Sequence, residues 1–374
     1  MGYGGGGGGG GGSGGSGGGS GASGGSGYRR VGDDRTANLK VNNITSRDGK
    51  RGTDVDGIVE VNTTAHFIPP SGTTAERGSR GRGVVAAGVS PGQNNTMQYI
   101  TIATLGNASD FGDLITASGY KRGSASLTRG IFAGGWEPSA SATDMEYVTI
   151  SSTGNAFDFG QCTGGQQSST GCSDSTRGII GAGGQVPSNP LTQTIEYVTF
   201  SSLGDASAFG DLVRPMFAGA GFGSPTRGIF AGGYVPSPAT TINTIQYITI
   251  STFGNAQDFG DLTVIRNSSG GSSSTTRGLT ISGGTTPNAN TDTIDYVTIA
   301  TLGDAIDFGN LTESTRGTCS VNSTVRAVRT GGYVTQTTMD YVTIATLGNA
   351  ADFGDLVTGL RELAGLSDSH GGLG

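Results

Sequence analysis

The side chains able to do chemistry are few, and they do not gather. The 374 residues hold two histidines, His66 and His370, and three cysteines, Cys162, Cys172 and Cys319. Both histidines lie outside the repeated part of the chain, so neither can serve a catalytic group built from it, and each is expected to be an ordinary strand or tail residue. Three cysteines form neither an even set nor a metal-ligand spacing, which argues against a disulfide framework and against structural zinc. The string GVSPG (Gly88 to Gly92) fits the G-x-S-x-G pattern of a nucleophile elbow but lacks the strand-to-helix setting and the partner histidine, so it reads as a turn. DVDG (Asp54 to Gly57) has two carboxylates of a calcium loop without the later ones, and also reads as a turn. No catalytic residue, metal site or cofactor is expected.

Two recurrent sets remain. Arginines recur at Arg82, Arg129, Arg177, Arg227, Arg277 and Arg326, each opening a segment such as RGIFAGG. An acid or amide recurs before a tyrosine: Gln98, Glu146, Glu196, Gln246, Asp295 and Asp340. Six arginines in register suggest an anion-binding ring. The stronger expectation is structural, with each guanidinium held by a carboxylate or a carbonyl. Recurrent Asp110, Asp158, Asp258, Asp307 and Asp352 are expected to form turns. The segments after Gly-Gly vary most, and Trp136, Tyr234 and Tyr333 open three of them. Aromatic side chains on variable loops of a rigid frame can stack on sugar rings, so Trp136, Glu137, Gln185, Tyr234 and Tyr333 are the candidate ligand-binding residues.

What positions these residues is a repeat. YVTIATLGNAADFGDL at Tyr341 has five earlier counterparts, beginning at Tyr99, Tyr147, Tyr197, Tyr247 and Tyr296. A period near 50 residues marks a repeat architecture. Each unit contains an Arg-Gly strand, a variable loop, a Tyr-Val-Thr-Ile strand, an Asn-Ala-x-Asp-Phe-Gly segment and a Ser/Gly-rich segment. Val, Ile, Thr, Tyr and Phe alternate with Gly, Asn, Asp and Pro clusters, and no helical period runs beyond a turn. Four short strands repeated six times predict an all-β, six-bladed β-propeller. Phe111, Phe159, Phe209, Phe259, Phe308 and Phe353 recur in register and are expected to fill the blade interfaces. The final LSDSHGG is similar to CSDSTRG at Cys172 to Gly178, so the C-terminal strand is expected to close the ring on the blade begun at about residues 76 to 89.

Composition agrees. Hydrophobic residues are 33%, charged residues 14% and glycines number 72, which suits many short strands and tight turns. Residues 28 to 82 hold ten Lys/Arg against seven Asp/Glu, whereas 83 to 374 hold twelve against twenty-two. An acidic body repels phosphate backbones, so nucleic acid is not an expected partner. No apolar run is long enough to span a membrane, and the N-terminus lacks the apolar core of a signal peptide. Three parts are therefore expected: a Gly/Ser-rich flexible tether (1–27), a short leader (28–75) and the propeller (76–374).

The RGIFAGG strands resemble the kelch family of propellers over roughly residues 76 to 374. They depart from it after Gly-Gly, where the spaced Tyr and Trp of that family are not found; Trp136 is the only tryptophan. The leader NLKVNNITSRDGKRGTDVDGIVEVNTTAHFIPPSGTT (Asn38 to Thr74), and the YVTIATLGNAxDFGDL phrase itself, are similar to structural proteins of tailed bacteriophages, particularly fibre-like proteins of phages that infect cyanobacteria. That resemblance implies a virion protein assembled in the host cytoplasm and present in many copies. Residues 1–75 would join other virion proteins, and the propeller would meet a host-surface glycan or receptor. A purely architectural virion component is the alternative it leaves open. A glycan-active enzyme would need clustered acids around the channel.

Overall fold

A computed structural model describes residues 81–369, apart from 139, 185–191, 237, 286–288 and 334–336. The chain divides into two units, Met1–Pro69 and Pro70–Gly374. All described residues belong to the second. The expected tether and leader, His66, His370, DVDG and Gln185 lie outside the described residues.

The second unit is all-β. Six four-stranded antiparallel sheets are arranged as a six-bladed β-propeller. A representative blade runs outward from Thr170–Ser173 through Arg177–Gly181 and Thr194–Thr199 to Ser207–Asp211. The innermost strand is thus the Ser/Gly-rich segment, so each blade begins one strand earlier than the Arg-Gly unit visible in the sequence. Arg-Gly strands are buried on both faces after the arginine, which is why four successive residues are apolar or small. The third strand alternates: in Thr244–Thr249, Ile245, Gln246 and Ile248 are buried while Tyr247 is half-buried.

Each inner strand touches the next, and the ring closes between Ala364–Ser367 and Arg122–Ala125. Closure within one sheet comes from Ala364–Ser367 pairing with Arg82–Ala86, in the register Gly83 to Ser367 and Ala86 to Ala364. Gly81 and Arg82 N–H groups add bonds to Asp368 Oδ1, at 2.6 and 3.2 Å. The C-terminal strand therefore closes the ring where the LSDS similarity placed it, and Arg82–Ala86 is not left as an edge strand.

Six hydrophobic clusters sit at the six interfaces. Phe111 packs with Val148, Ile150 and Ala156 of the following blade, and Phe353 with Ile100, Ile102 and Ala108, across the seam. The recurrent Phe111, Phe159, Phe209, Phe259, Phe308 and Phe353 are 2–4% exposed. Each contributes about 1.5–3 kcal/mol by burial.

Glycine is required where backbones meet around the axis. A Cβ on Gly171, Gly221 or Gly271 would stand 2.5, 2.3 or 2.2 Å from the carbonyl oxygen of Gly123, Gly171 or Gly221. Strand-to-strand contact of this kind leaves a central cavity of only about 40 Å3, room for a few waters.

Candidate functional site

The recurrent arginines are inter-blade staples. Each Nη1 donates to the carbonyl that ends the third strand of the next blade: Arg82 to Ile150 (3.0 Å), Arg129 to Phe200, Arg177 to Ile250 (2.8 Å), Arg227 to Ile299 (2.8 Å) and Arg277 to Ile344 (2.7 Å). Arg326 closes the circle on Ile102 at 2.9 Å. Each guanidinium also lies over the tyrosine of its own blade, at 4.4–5.6 Å. Of the two partner types expected, the carbonyl is the one found.

The acid or amide before each tyrosine works in the opposite direction. Gln98, Glu146, Glu196, Gln246, Asp295 and Asp340 are all buried. They bind the outer strand of the preceding blade or the loop that leaves it. Glu146 accepts from Ile115 N–H at 2.6 Å, Gln246 from Arg214 N–H at 2.9 Å, and Gln98 from Val357 N–H at 2.6 Å. Every blade is therefore tied forward by an arginine and backward by an acid or amide. Asp110, Asp158, Asp258, Asp307 and Asp352 are exposed on the outer strands rather than in turns. The turn role belongs to the residue three positions earlier, whose side chain accepts from the neighbouring outer strand, as Asn155 does from Asp113 N–H at 3.0 Å.

Three further cations are buried in ion pairs. Lys121 meets Asp144 (2.8 Å) and Glu146 (3.2 Å), Arg266 meets Asp295, and Arg329 meets Asp340 and Glu313. Cys162, Cys172 and Cys319 are buried and free, and burial pushes all three thiols above the ordinary range. GVSPG forms a turn in which Ser90 N–H donates to the Gly92 carbonyl at 2.8 Å.

The pseudo-sixfold pattern breaks at one end of the channel. There, six turn residues with φ of 52–65°, Tyr120, Ser168, Ala218, Ser268, Gly317 and Glu362, encircle the axis. Each N–H donates to the carbonyl of its neighbour, at 2.6–3.1 Å, in a closed ring of six backbone hydrogen bonds. Four positions carry small residues, whereas Tyr120 and Glu362 bring large functional side chains. Glu362 is 4% exposed. Burial raises its carboxyl above the usual range, against the pull of Arg122 and a hydrogen bond with Tyr333. Burial and then Glu362 raise the Tyr120 phenol, and Tyr120 and Tyr333 share a hydrogen bond.

Tyr333 has the Arg316 and Arg361 guanidiniums at 4.6 and 4.4 Å from its ring centroid. The ring on which a sugar was expected to stack thus carries two guanidinium contacts. Trp136 stands edge-on to Tyr120 at 6.2 Å, and Tyr234 edge-on to Phe217 at 5.3 Å. Between these pairs lies an open hollow of about 350 Å3 lined by Tyr120, Trp136, Gln167, Ser168 and Phe217. Glu137 is half-buried; its N–H donates to the Ala140 carbonyl at 3.0 Å, and it does not line the hollow.

The structure thus places Trp136 in the hollow, Tyr234 behind its Phe217 wall, and Tyr333 in an adjoining arginine cluster. Tyr120, Phe217, Gln167, Ser168, Arg316, Arg361 and Glu362 were not singled out from sequence. Aligning the Ser/Gly-rich segments would have exposed two of them, because Tyr120 and Glu362 stand in a column otherwise occupied by Ser, Ala and Gly. Among the described residues, no group of three or more His, Cys, Asp or Glu is placed to hold a metal ion. No known protein family matches the sequence, and a comparison with curated proteins finds no match.

Proposed function

We propose that this chain is a non-enzymatic attachment protein of a tailed-bacteriophage virion, its propeller displayed to meet a host-surface glycan. The observation that carries this reading is the aromatic hollow on the loop rim. Five side chains of three blades build it on a frame whose recurrent polar groups are committed to staples, which is how a repeat scaffold makes one binding place. Its size and mixed lining, aromatic walls with Gln167 and Ser168, suit a sugar ring. The resemblance of the leader to phage fibre-like proteins supplies the virion setting, with residues 1–75 joining other virion proteins. Many copies per particle would add avidity to weak single sites.

An architectural role is the second reading, and it too has an observation in its favour. At the opposite end of the blades, Leu105, Leu203, Phe253, Leu302 and Leu347 occupy the same turn position and are 56–59% exposed. A recurring row of exposed apolar groups suits contact with other virion proteins. Cryo-EM of an intact particle distinguishes the two. Attachment expects density at a fibre or tail tip with the hollow facing solvent. Density flat against the capsid, with the hollow covered by neighbours, would leave only the architectural role.

A further inference from the structure

The cations of the propeller are distributed in a way that its staples do not explain. Of the twelve Lys/Arg between residues 83 and 374, Arg129, Arg177, Arg227, Arg277 and Arg326 are inter-blade staples. Lys121, Arg266 and Arg329 are locked in buried ion pairs. The other four are Arg122, which donates to the Lys121 and Leu363 carbonyls, Arg214, Arg316 and Arg361, and three of these four gather at one point of the channel mouth. Arg316 and Arg361 both lie over the Tyr333 ring, and Arg122 lies within electrostatic reach of Glu362. The buried Glu362 carboxyl thus feels the charge of three guanidiniums, in a body whose net charge is strongly negative. Among the described residues no carboxylate lies within ion-pair distance of Arg361, and this side chain is only half-buried.

This cluster adjoins the aromatic hollow. Tyr120 forms a wall of the hollow, hydrogen-bonds Tyr333 and feels the charge of Arg361. We infer that the ligand of this rim is an acidic saccharide of two or more residues, with one sugar ring against Trp136 and Tyr120 and a carboxylate on Arg361. A guanidinium stacked face-on over a phenol ring keeps its edge N–H groups for a carboxylate, and the stacking holds the fork in place beforehand. Glu137, in the loop that carries Trp136, does not line the hollow and does not oppose the ligand's charge there. The inference rests on the attachment reading and narrows it to one class of glycan.

The test uses the full chain on a panel of immobilised uronate-containing oligosaccharides, each present as the acid and as its neutral methyl ester. The acid is expected to bind about tenfold or more tightly than the ester, with the advantage shrinking as salt is added. Arg361→Gln is expected to abolish that advantage, and Arg361→Lys to keep part of it. Trp136→Ala is expected to weaken both forms. Equal or tighter binding of the ester, or a preference that survives in Arg361→Gln, overturns the inference and leaves saccharide attachment standing. Binding of no saccharide at all overturns both.

Discussion

Replacing Arg227 by alanine tests whether the staples hold the ring together. Arg227 Nη1 donates to the Ile299 carbonyl at 2.8 Å, a bond from a charged donor worth about 1.5–3 kcal/mol. Its guanidinium lies 4.8 Å from the Tyr247 centroid, adding about 0.5–1 kcal/mol at a half-exposed site. Ile299 is 1% exposed, so its carbonyl has little prospect of a replacement water. The expected loss is about 2–4 kcal/mol, read as a lower urea midpoint by far-UV circular dichroism at unchanged m, with a fall of at least about 4 °C in Tm. Arg326→Ala is the decisive companion. Its staple reaches from the last blade to Ile102 of the first, so in a closed ring it costs as much as Arg227→Ala. A loss below about 0.5 kcal/mol at both positions, the range of an ordinary surface change, would refute the staple reasoning. A loss confined to Arg227 would refute closure at the seam.

Three further outcomes follow from the same geometry. Gly171→Ala places a Cβ 2.5 Å from the Gly123 carbonyl oxygen and is expected to cost about 1–3 kcal/mol or more by overpacking, whereas Gly92→Ala, which meets nothing within 4 Å, is expected to stay within about 0.5 kcal/mol; equal thermal shifts would refute the close approach. Lys121→Met leaves the buried Glu146 without its cation and is expected to cost about 3–5 kcal/mol at neutral pH, less in acid where Glu146 takes a proton, so a pH-independent loss in urea titrations would contradict the pairing. Burial raises the Glu196 carboxyl, so the folded state holds that proton more tightly than the unfolded chain. Its stabilising effect is complete below the ordinary glutamate value of about 4.3 and declines as pH climbs through the raised folded value. Glu196→Gln removes this titration, and Gln246 in the same column shows that an amide fits, donating to the Arg214 carbonyl at 3.1 Å. The stability of the variant relative to the parent is expected to rise between about pH 4 and pH 7, and a flat difference would refute the direction of the shift.

Much of the fold is legible in the residues because a repeat states each rule six times. The spacing of the tyrosines, the apolar run after each Arg-Gly and the final LSDS segment are local signals, and local signals survive in one dimension. Their consequences include the blade count, the closing strand and the burial of the recurrent phenylalanines. The hollow is different. Trp136 stands out as the only tryptophan, but its neighbours Tyr120 and Phe217 lie 16 residues before it and 81 after it, in segments that look like plain turns. Tyr333 shows the limit from the other side: an aromatic opening a variable loop looks unpartnered in the sequence, and two guanidiniums from distant segments lie over its ring.

By itself, the sequence determined that six units of four strands would form and that the chain would end by returning to its start, because strand propensity and periodicity act between near neighbours. Only the tertiary structure decided which partner each recurrent side chain takes. The arginine and the acid of one unit lie on consecutive strands, yet one reaches the following blade and the other the preceding blade. That choice comes from the stacking and twist of the sheets about the axis, which bring a carbonyl to one side and a loop N–H to the other. The same stacking gathers Arg122, Arg316, Arg361 and Glu362 at one point of the rim, where charges far apart along the chain become neighbours.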